Sequence, residues 1–260
     1  MTELDLRFLQ GAKALLEKPR VGARVANLIG TPIEKGIAAL PSQVRSTIEA
    51  ATQKSIQAAL NIALNTITDK EQQQKSKNLY HKLLVAGTGG LGGFLGASTL
   101  LLELPISTTI MMRSILDIAR SEGEDLNDPE VKLACLQVFA FGGKSKGDDA
   151  VDAGYFATRA ALARAVSQAA TVLVDRGAAK EGAPILARLV LSIATRFQVV
   201  VSEKLAAQVV PLLGALGGSG INVLFMDHFQ DMARGHFVIR RLERKYGVEE
   251  VQRRYQEIKI

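Results

Sequence analysis

Residues 83–102 read LLVAGTGGLGGFLGASTLLL, twenty residues without a charge and with six glycines. Residues 205–226 repeat that character as LAAQVVPLLGALGGSGINVLFM, again uncharged, with four glycines. Each is long enough to cross a bilayer as a helix, which takes about 20 apolar residues. Each also runs into a basic amphipathic segment. Glycine inside a helix costs up to ~1 kcal/mol relative to alanine in water, so ten in two segments demand a compensating contact. The pairs Gly89/Gly93, Gly92/Gly96 and Gly214/Gly218 let helix backbones approach closely. Such hairpins serve a lipid environment and a buried protein core alike, and both readings stay open.

Around these segments the composition favours helices. The 260 residues are 47% hydrophobic but only 5% aromatic, with no tryptophan, so the apolar mass is Ala, Leu, Val and Ile. The fold class expected is all-α, a multi-helix bundle containing the two glycine-rich apolar hairpin segments. Thirty-two Lys and Arg against 26 Asp and Glu give a formal charge of +6. No arginine-rich run with interleaved aromatics occurs, so nucleic acid is not expected as a partner, whereas an anionic membrane surface is. The single Cys135 excludes an intrachain disulfide and suits a reducing compartment. The opening MTELDLRFLQ lacks the apolar core of a secretory signal, so membrane contact is expected from the cytoplasmic side.

Helical periodicity recurs along the chain. Residues 2–40 begin as an amphipathic helix (Leu4, Phe8, Leu9, Leu15, Leu16) and loosen towards Pro32 and Pro41. From Ser42, Val44, Ile48 and Ala51, then Ile56, Leu60, Ala63 and Ile67, recur at helical steps with one slip. The first glycine-rich stretch is expected to stop at Glu103 and Pro105. A helix over 106–121 then ends at Gly123, and Asp128-Pro129-Glu130 starts another as N-cap, first residue and dipole-complementing acid. Two further helices are expected over 150–176 and 184–210, then one over 223–246 that Gly247 separates from a charged tail. Residues 1–80 read as an N-terminal helical extension and 81–260 as one continuous helical unit.

Several patterns imitate known chemistry. Gly87-Thr88-Gly89-Gly90-Leu91-Gly92 satisfies G-x-G-x-x-G, yet a dinucleotide site needs a following helix and a second parallel strand, and here helices follow. Gly142-Gly143-Lys144-Ser145 lacks the earlier glycine of a phosphate loop, since that place is Val138. Cys135 sits in an apolar helical pattern and reads as an inert thiol. Helix capping accounts for Glu122, Glu124, Asp125, Asp128 and Glu130. The polar constellation is on the last long helix: at about 100° per residue, Asn222, Phe225, Phe229, His236, Arg240 and Glu243 share one stripe of about 60°. This reads as a polar seam in which Arg240 and Glu243 pair locally. His228 and His236 lie about 12 Å apart along such a helix, too far to share a zinc ion bonded at ~2 Å. No metal site and no cofactor are expected.

The segments LPISTT (104–109), ARSEGEDLNDPEVKLACLQVFAFGG (119–143), YFATRAAL (155–162) and GALGGSGINVLFMDHFQDMARGHFVIRRLERKYG (214–247) resemble the EcsC protein family of bacteria. The likeness covers roughly residues 80–247. The family pattern falls on Pro105, Arg113, Gly123, Asp128, Gly142, Gly143, Tyr155, Arg159, Gly218, Asn222, Phe225, His236 and Arg240. The resemblance implies a link to transport or secretion, because the family's namesake is encoded beside an ABC transporter connected with protein secretion. It brings no catalytic assignment.

The reading expected is therefore a non-catalytic protein at the cytoplasmic face of the inner membrane, peripheral or partly inserted, that assists an envelope, transport or secretion process. Its partners would be the anionic membrane surface and a membrane transporter or secretion component. Contact is assigned to Gly89, Gly93, Gly96, Gly214 and Gly218 in the apolar rods, with Arg113 and Arg120, then Arg240, Arg241, Arg244 and Lys245, at the headgroups. The alternative is a hydrolase, with or without a metal, using His228, Asp231, His236 and Glu243. It requires a helix break, for which Gly235 is the candidate. A third reading is a soluble scaffold that binds a protein partner.

Overall fold

The computed structural model describes residues 1–17, 42–65, 97–142, 154–174, 179–209 and 217–259. Among them are eight α-helices, α1 (Glu3–Leu16), α2 (Ser42–Asn65), α3 (Ala97–Ser121), α4 (Pro129–Gln137), α5 (Tyr155–Val174), α6 (Ala179–Val209), α7 (Gly217–Tyr246) and α8 (Val248–Glu257), plus one 3-10 turn at Val138–Ala140. The fold is an all-α multi-helix bundle. Gly89, Gly93, Gly96 and Gly214, the G-x-G-x-x-G run and Gly143-Lys144-Ser145 lie outside the described residues, and of Gly218 only its place in α7 is described.

α7 is the axis against which the other elements can be placed. α3 runs alongside it in the same direction: Glu103 meets Asn222, Ser114 meets Gln230, and Glu124 meets Arg240 and Arg244. α6 runs the opposite way, since Lys204 sits over the Phe225 ring and Phe197 packs on Phe225 and Phe229. α1 is also antiparallel, with Asp5 at Lys245 and Tyr246 and with Ala12 and Leu16 at Gly235. Phe139, Phe197, Phe225 and Phe229 fill the centre at ring separations of 5.2–6.0 Å, where α6 and α7 meet the 3-10 turn.

α2 packs on α3, α4 and α6. Its buried stripe is Ile48, Ala51, Thr52, Ser55, Ile56, Ala59, Leu60 and Ala63. Thr52 and Ser55 bridge the slip seen in the apolar spacing. Their hydroxyls donate to the carbonyls of Ile48 and Ala51 at 2.9 and 2.6 Å, so polar residues enter the core already satisfied. On α1 the inward face is Asp5, Leu9 and Ala12, whereas Leu4 and Phe8 are exposed. The expected apolar face is thus rotated. Asp5 takes a core-facing place because Lys245 and the Tyr246 hydroxyl reach its carboxylate at 2.9 and 2.6 Å.

Local signals fixed several boundaries. Asp128 caps α4 by accepting from the Glu130 amide at 2.8 Å, with Pro129 as the first helical residue. Gly123 and Gly247 adopt φ of +81° and +85°, a region that side chains disfavour. The two prolines behave otherwise. α3 continues through Pro105 rather than stopping there, and α6 starts at Ala179 and passes through Pro184. Burial of Leu104, Ser107, Thr108 and Met111 holds α3 across the missing amide bond.

α7 is likewise unbroken at Gly235, where the hydrolase reading needed a break. Glycine is required there for close approach: a Cβ at 235 would lie 2.5 Å from Leu16 Cγ and 3.0 Å from the Ala12 carbonyl oxygen. Gly235→Val should therefore lift α1 from α7, lowering stability by about 1–3 kcal/mol through overpacking. Urea denaturation measures the loss, and amide exchange across residues 3–16 should rise.

Candidate functional site

The polar face of α7 resolves into two clusters, one near each end. Towards the C-terminal end, His236 is fully buried among the rings of Phe141, Tyr155 and Phe237. Its Nδ1 lies 2.7 Å from the Tyr155 hydroxyl. Burial, reinforced by the nearby cations Arg159 and Arg240, holds the imidazole pKa well below its usual value. Burial also pushes the Tyr155 phenol up. Both groups are neutral, so a single proton bridges the hydroxyl and Nδ1, the donor being set by the imidazole tautomer. A tyrosine held this firmly protonated is a poor acid and no nucleophile, and the pair acts as a strut between α5 and α7.

One turn further along α5, Arg159 makes two 2.7 Å bonds to Glu243 and a 3.3 Å bond to the Tyr155 oxygen. Burial opposes the guanidinium charge, but the paired carboxylate outweighs it and raises the Arg159 pKa. Glu124 performs the equivalent task for two arginines of α7. The Gly123 turn carries it into contact with Arg240, at 2.9 and 3.3 Å, and with Arg244. Arg244 also donates to the Glu122 carbonyl at 2.9 Å. Arg241 pairs with Glu122 at 2.9 Å and lies 4.8 Å from the Phe8 ring centroid. Lys245 pairs with Asp5 at 2.9 Å. Hydrogen bonds from Thr2, Tyr246 and Lys245 hold the Asp5 carboxyl well below the usual range.

The local Arg240–Glu243 pair is thus replaced by two tertiary ones, Arg240–Glu124 and Arg159–Glu243. Of the six cations assigned to headgroup contact, Arg120, Arg240, Arg241, Arg244 and Lys245 are matched by carboxylates of this chain.

Asn222 belongs to the opposite end. It and Lys204 both donate to Glu103 Oε1, each at 3.3 Å. Lys204 is only 1% exposed, and its ammonium lies 4.9 Å from the Phe225 centroid. Burial pushes its pKa down, while Glu103 pulls it back up. Glu103 ends the first charge-free stretch and Lys204 immediately precedes the second, so this pair brings the end of one beside the start of the other.

The four residues of the hydrolase reading are not gathered. Asp231 pairs with Arg234 at 3.1 Å, and His228 packs against Gly142, where a Cβ would come within 2.5 Å of its ring. His236 and Glu243 point instead to Tyr155 and Arg159. Among the described residues no group of three or more His, Cys, Asp or Glu is placed to hold a metal. A cleft of about 680 Å³ lies between α1, the start of α5 and α8, walled by Lys13, Glu17, Tyr155, Phe156, Gln252 and Tyr255. None of the four lines it. Cys135 is buried and burial raises its thiol pKa, which leaves it unreactive. Residue-by-residue reading missed Glu103, Lys204, Tyr155, Arg159 and the pairing role of Glu124. Tyr155 and Arg159 carried a signal only through the family resemblance.

Two outcomes follow from this wiring. Glu243→Gln strips a buried arginine of its carboxylate. Breaking such a pair costs about 3–5 kcal/mol when it is fully enclosed, and the 21% exposure of Arg159 lowers that to about 2 kcal/mol. An Arg159→Met/Glu243→Met double variant should recover about half of the loss in a denaturation cycle. His236 sets an acid limit. The unfolded chain takes up this proton near pH 6.5 and the folded chain resists it, so stability is complete above that pH and falls below it, by up to ~1.4 kcal/mol per pH unit. Urea midpoints between pH 7 and 5 should show the slope in the parent protein and a shallower one in His236→Gln.

Tyr155, Arg159, Asn222, Phe225, His236 and Arg240, positions of the family pattern, all fall in or beside these two clusters. No curated protein and no solved structure matches the chain. A model of the EcsC protein family matches residues 12–242, starting inside α1 and so reaching well before the quoted segments. The chain belongs to the EcsC protein family.

Proposed function

We propose that this is a non-catalytic, membrane-associated helical protein that acts at the cytoplasmic face of the inner membrane and assists a transport or secretion process. The observation that carries the reading is the placement of its apolar ends. The Glu103–Lys204 contact puts the close of one charge-free stretch beside the start of the other. Leu101, Leu102 and Ile106 then continue the first stretch as exposed apolar side chains on α3. Leu102 is 67% and Ile106 53% exposed, which in water has no stabilising role and in lipid has one. A further segment, Gly182–Ala206, is long and apolar enough to cross a bilayer. With Leu189, Ile193, Phe197 and Val201 buried in the core, it serves better as a bundle helix.

Because Arg240, Arg241, Arg244 and Lys245 already have carboxylate partners, the proposed contact rests on apolar insertion first and on net positive charge second. The partner on this reading is an anionic phospholipid surface, with a transporter or secretion component beside it.

Flotation with vesicles of phosphatidylglycerol and phosphatidylethanolamine tests it. The parent protein should float with the vesicles. Leu102→Glu/Ile106→Glu changes two exposed sites and should leave the helical content intact. It should reduce the floated fraction at least about tenfold, since an acidic residue in the apolar layer costs roughly 3 kcal/mol. Recovery of the parent protein wholly at the bottom of the gradient at low salt overturns the reading and leaves the protein-binding scaffold in its place.

A further inference from the structure

α3 combines three features within ten residues at its N-terminal end. Its outer face there is apolar and open, at Leu101, Leu102 and Ile106. Its inner side is held by one carboxylate, Glu103, which accepts from Lys204 of α6 and Asn222 of α7. Two residues after that carboxylate, beyond the fully buried Leu104, comes Pro105, inside the helix. Proline supplies no amide hydrogen and crowds the carbonyl four residues before it, so the helix is weakest between Leu101 and Pro105. The segment Ala97–Glu103 is thus a helical tip fastened by a polar contact and joined to the bundle across a step that lacks one backbone hydrogen bond.

We propose that Glu103, Lys204 and Asn222 form a latch that holds this apolar tip against α6 and α7, and that release about Pro105 presents the tip to a phospholipid surface. The proposal rests on the membrane reading above and adds its control point. The chemistry of the latch suits reversible closure. Lys204 is almost completely buried, and burial already works against its charge. Its ammonium has the Glu103 carboxylate at 3.3 Å and the Phe225 ring face as neighbours. An ammonium so placed is tolerated only while paired. Losing the carboxylate therefore favours a rearrangement that returns Lys204 to water, and the tip is the adjoining piece with the weakest backbone connection. Below Pro105 the inner face of α3 is packed with Ser107, Thr108, Met111, Ser114 and Ile115, all fully buried. That packing confines the movement to the tip.

Amide hydrogen exchange on the full chain without lipid reads the latch directly. Glu103→Gln should speed exchange over 97–104 by at least about tenfold while leaving α4 and the C-terminal half of α7 unchanged. Pro105→Ala restores the missing amide and should slow exchange over the same residues. Unchanged exchange over 97–104 in Glu103→Gln overturns the latch. A uniform rise across all helices overturns it too, because the pair would then be an ordinary element of global stability. A vesicle arm uses the same phosphatidylglycerol and phosphatidylethanolamine mixture, where Glu103→Gln should float more readily than the parent and Pro105→Ala less. If the exchange pattern holds but neither variant nor the parent floats, the latch stands and the membrane reading fails.

Discussion

Carboxylates brought from α3 and its flanking turn meet polar groups of α7 near both of its ends, and the burial of that helix depends on them. α7 carries Asn222, Gln230, His236 and Arg240 on faces packed into the bundle. Such groups cannot leave water unless partners meet them. Glu103 serves one end, the Ser114 hydroxyl accepts from Gln230 in the middle at 2.9 Å, and Glu124 serves the other. All three come from one parallel neighbour, so the contacts also set register. A slip of one helical turn, about 5.4 Å, would unpair every one of them at once. Buried ion pairs add little net stability over apolar packing but penalise wrong arrangements heavily. On that ground the polar face of α7 selects one alignment, and the phenylalanine cluster supplies the burial energy.

The same wiring decides what the basic end of α7 is free to do. A cation already matched by a carboxylate projects a weaker field than a free one, and a screened one at that. Arg240 and Arg244 converge on Glu124, Arg241 on Glu122, and Lys245 on Asp5. These contacts fasten α1 and the Gly123 turn to α7. In the same way Lys13 fastens α8 by donating to the Tyr255 and Ile258 carbonyls at 3.0 and 2.7 Å. The N-terminal helix is thereby bound into the structure by polar contacts at both of its ends.

Where the chain obeys local rules, its sequence is readable. The Gly123 stop and the Asp128-Pro129 restart depend only on residues within one turn, and both stand as expected. The prolines at 105 and 184 mislead because packing outweighs the missing hydrogen bond. The seam residues lie on α7, but their partners were not legible. Proximity along the helix suggested Arg240–Glu243, yet Glu124 lies 116 positions before Arg240, and Arg159 lies 84 before Glu243. The stripe angle correctly grouped His236 with Arg240 and Glu243. It also included Asn222, which belongs to the other end, because angular alignment says nothing about distance along the axis. Asp5 inverted the expected face of α1 for a related reason, as its partners stand some 240 residues away.

That axial distance bears on how the protein would meet a lipid surface. Asn222 and Arg244 are 22 residues apart on one continuous helix, about 33 Å at 1.5 Å per residue. The hydrocarbon layer of a bilayer is itself about 30 Å thick. An upright α7 with its apolar end in lipid would hold its arginines a full layer's depth from the headgroups at that end. Both ends can touch one leaflet only if α7 lies along the surface. A flat α7 would bring its paired cations to lipid that gains little from them. An upright one requires only the α3 tip at one end, with Glu103 and Lys204 at the depth where charges leave the apolar layer. On the proposed membrane reading, the carboxylate pairing thus favours end-on contact.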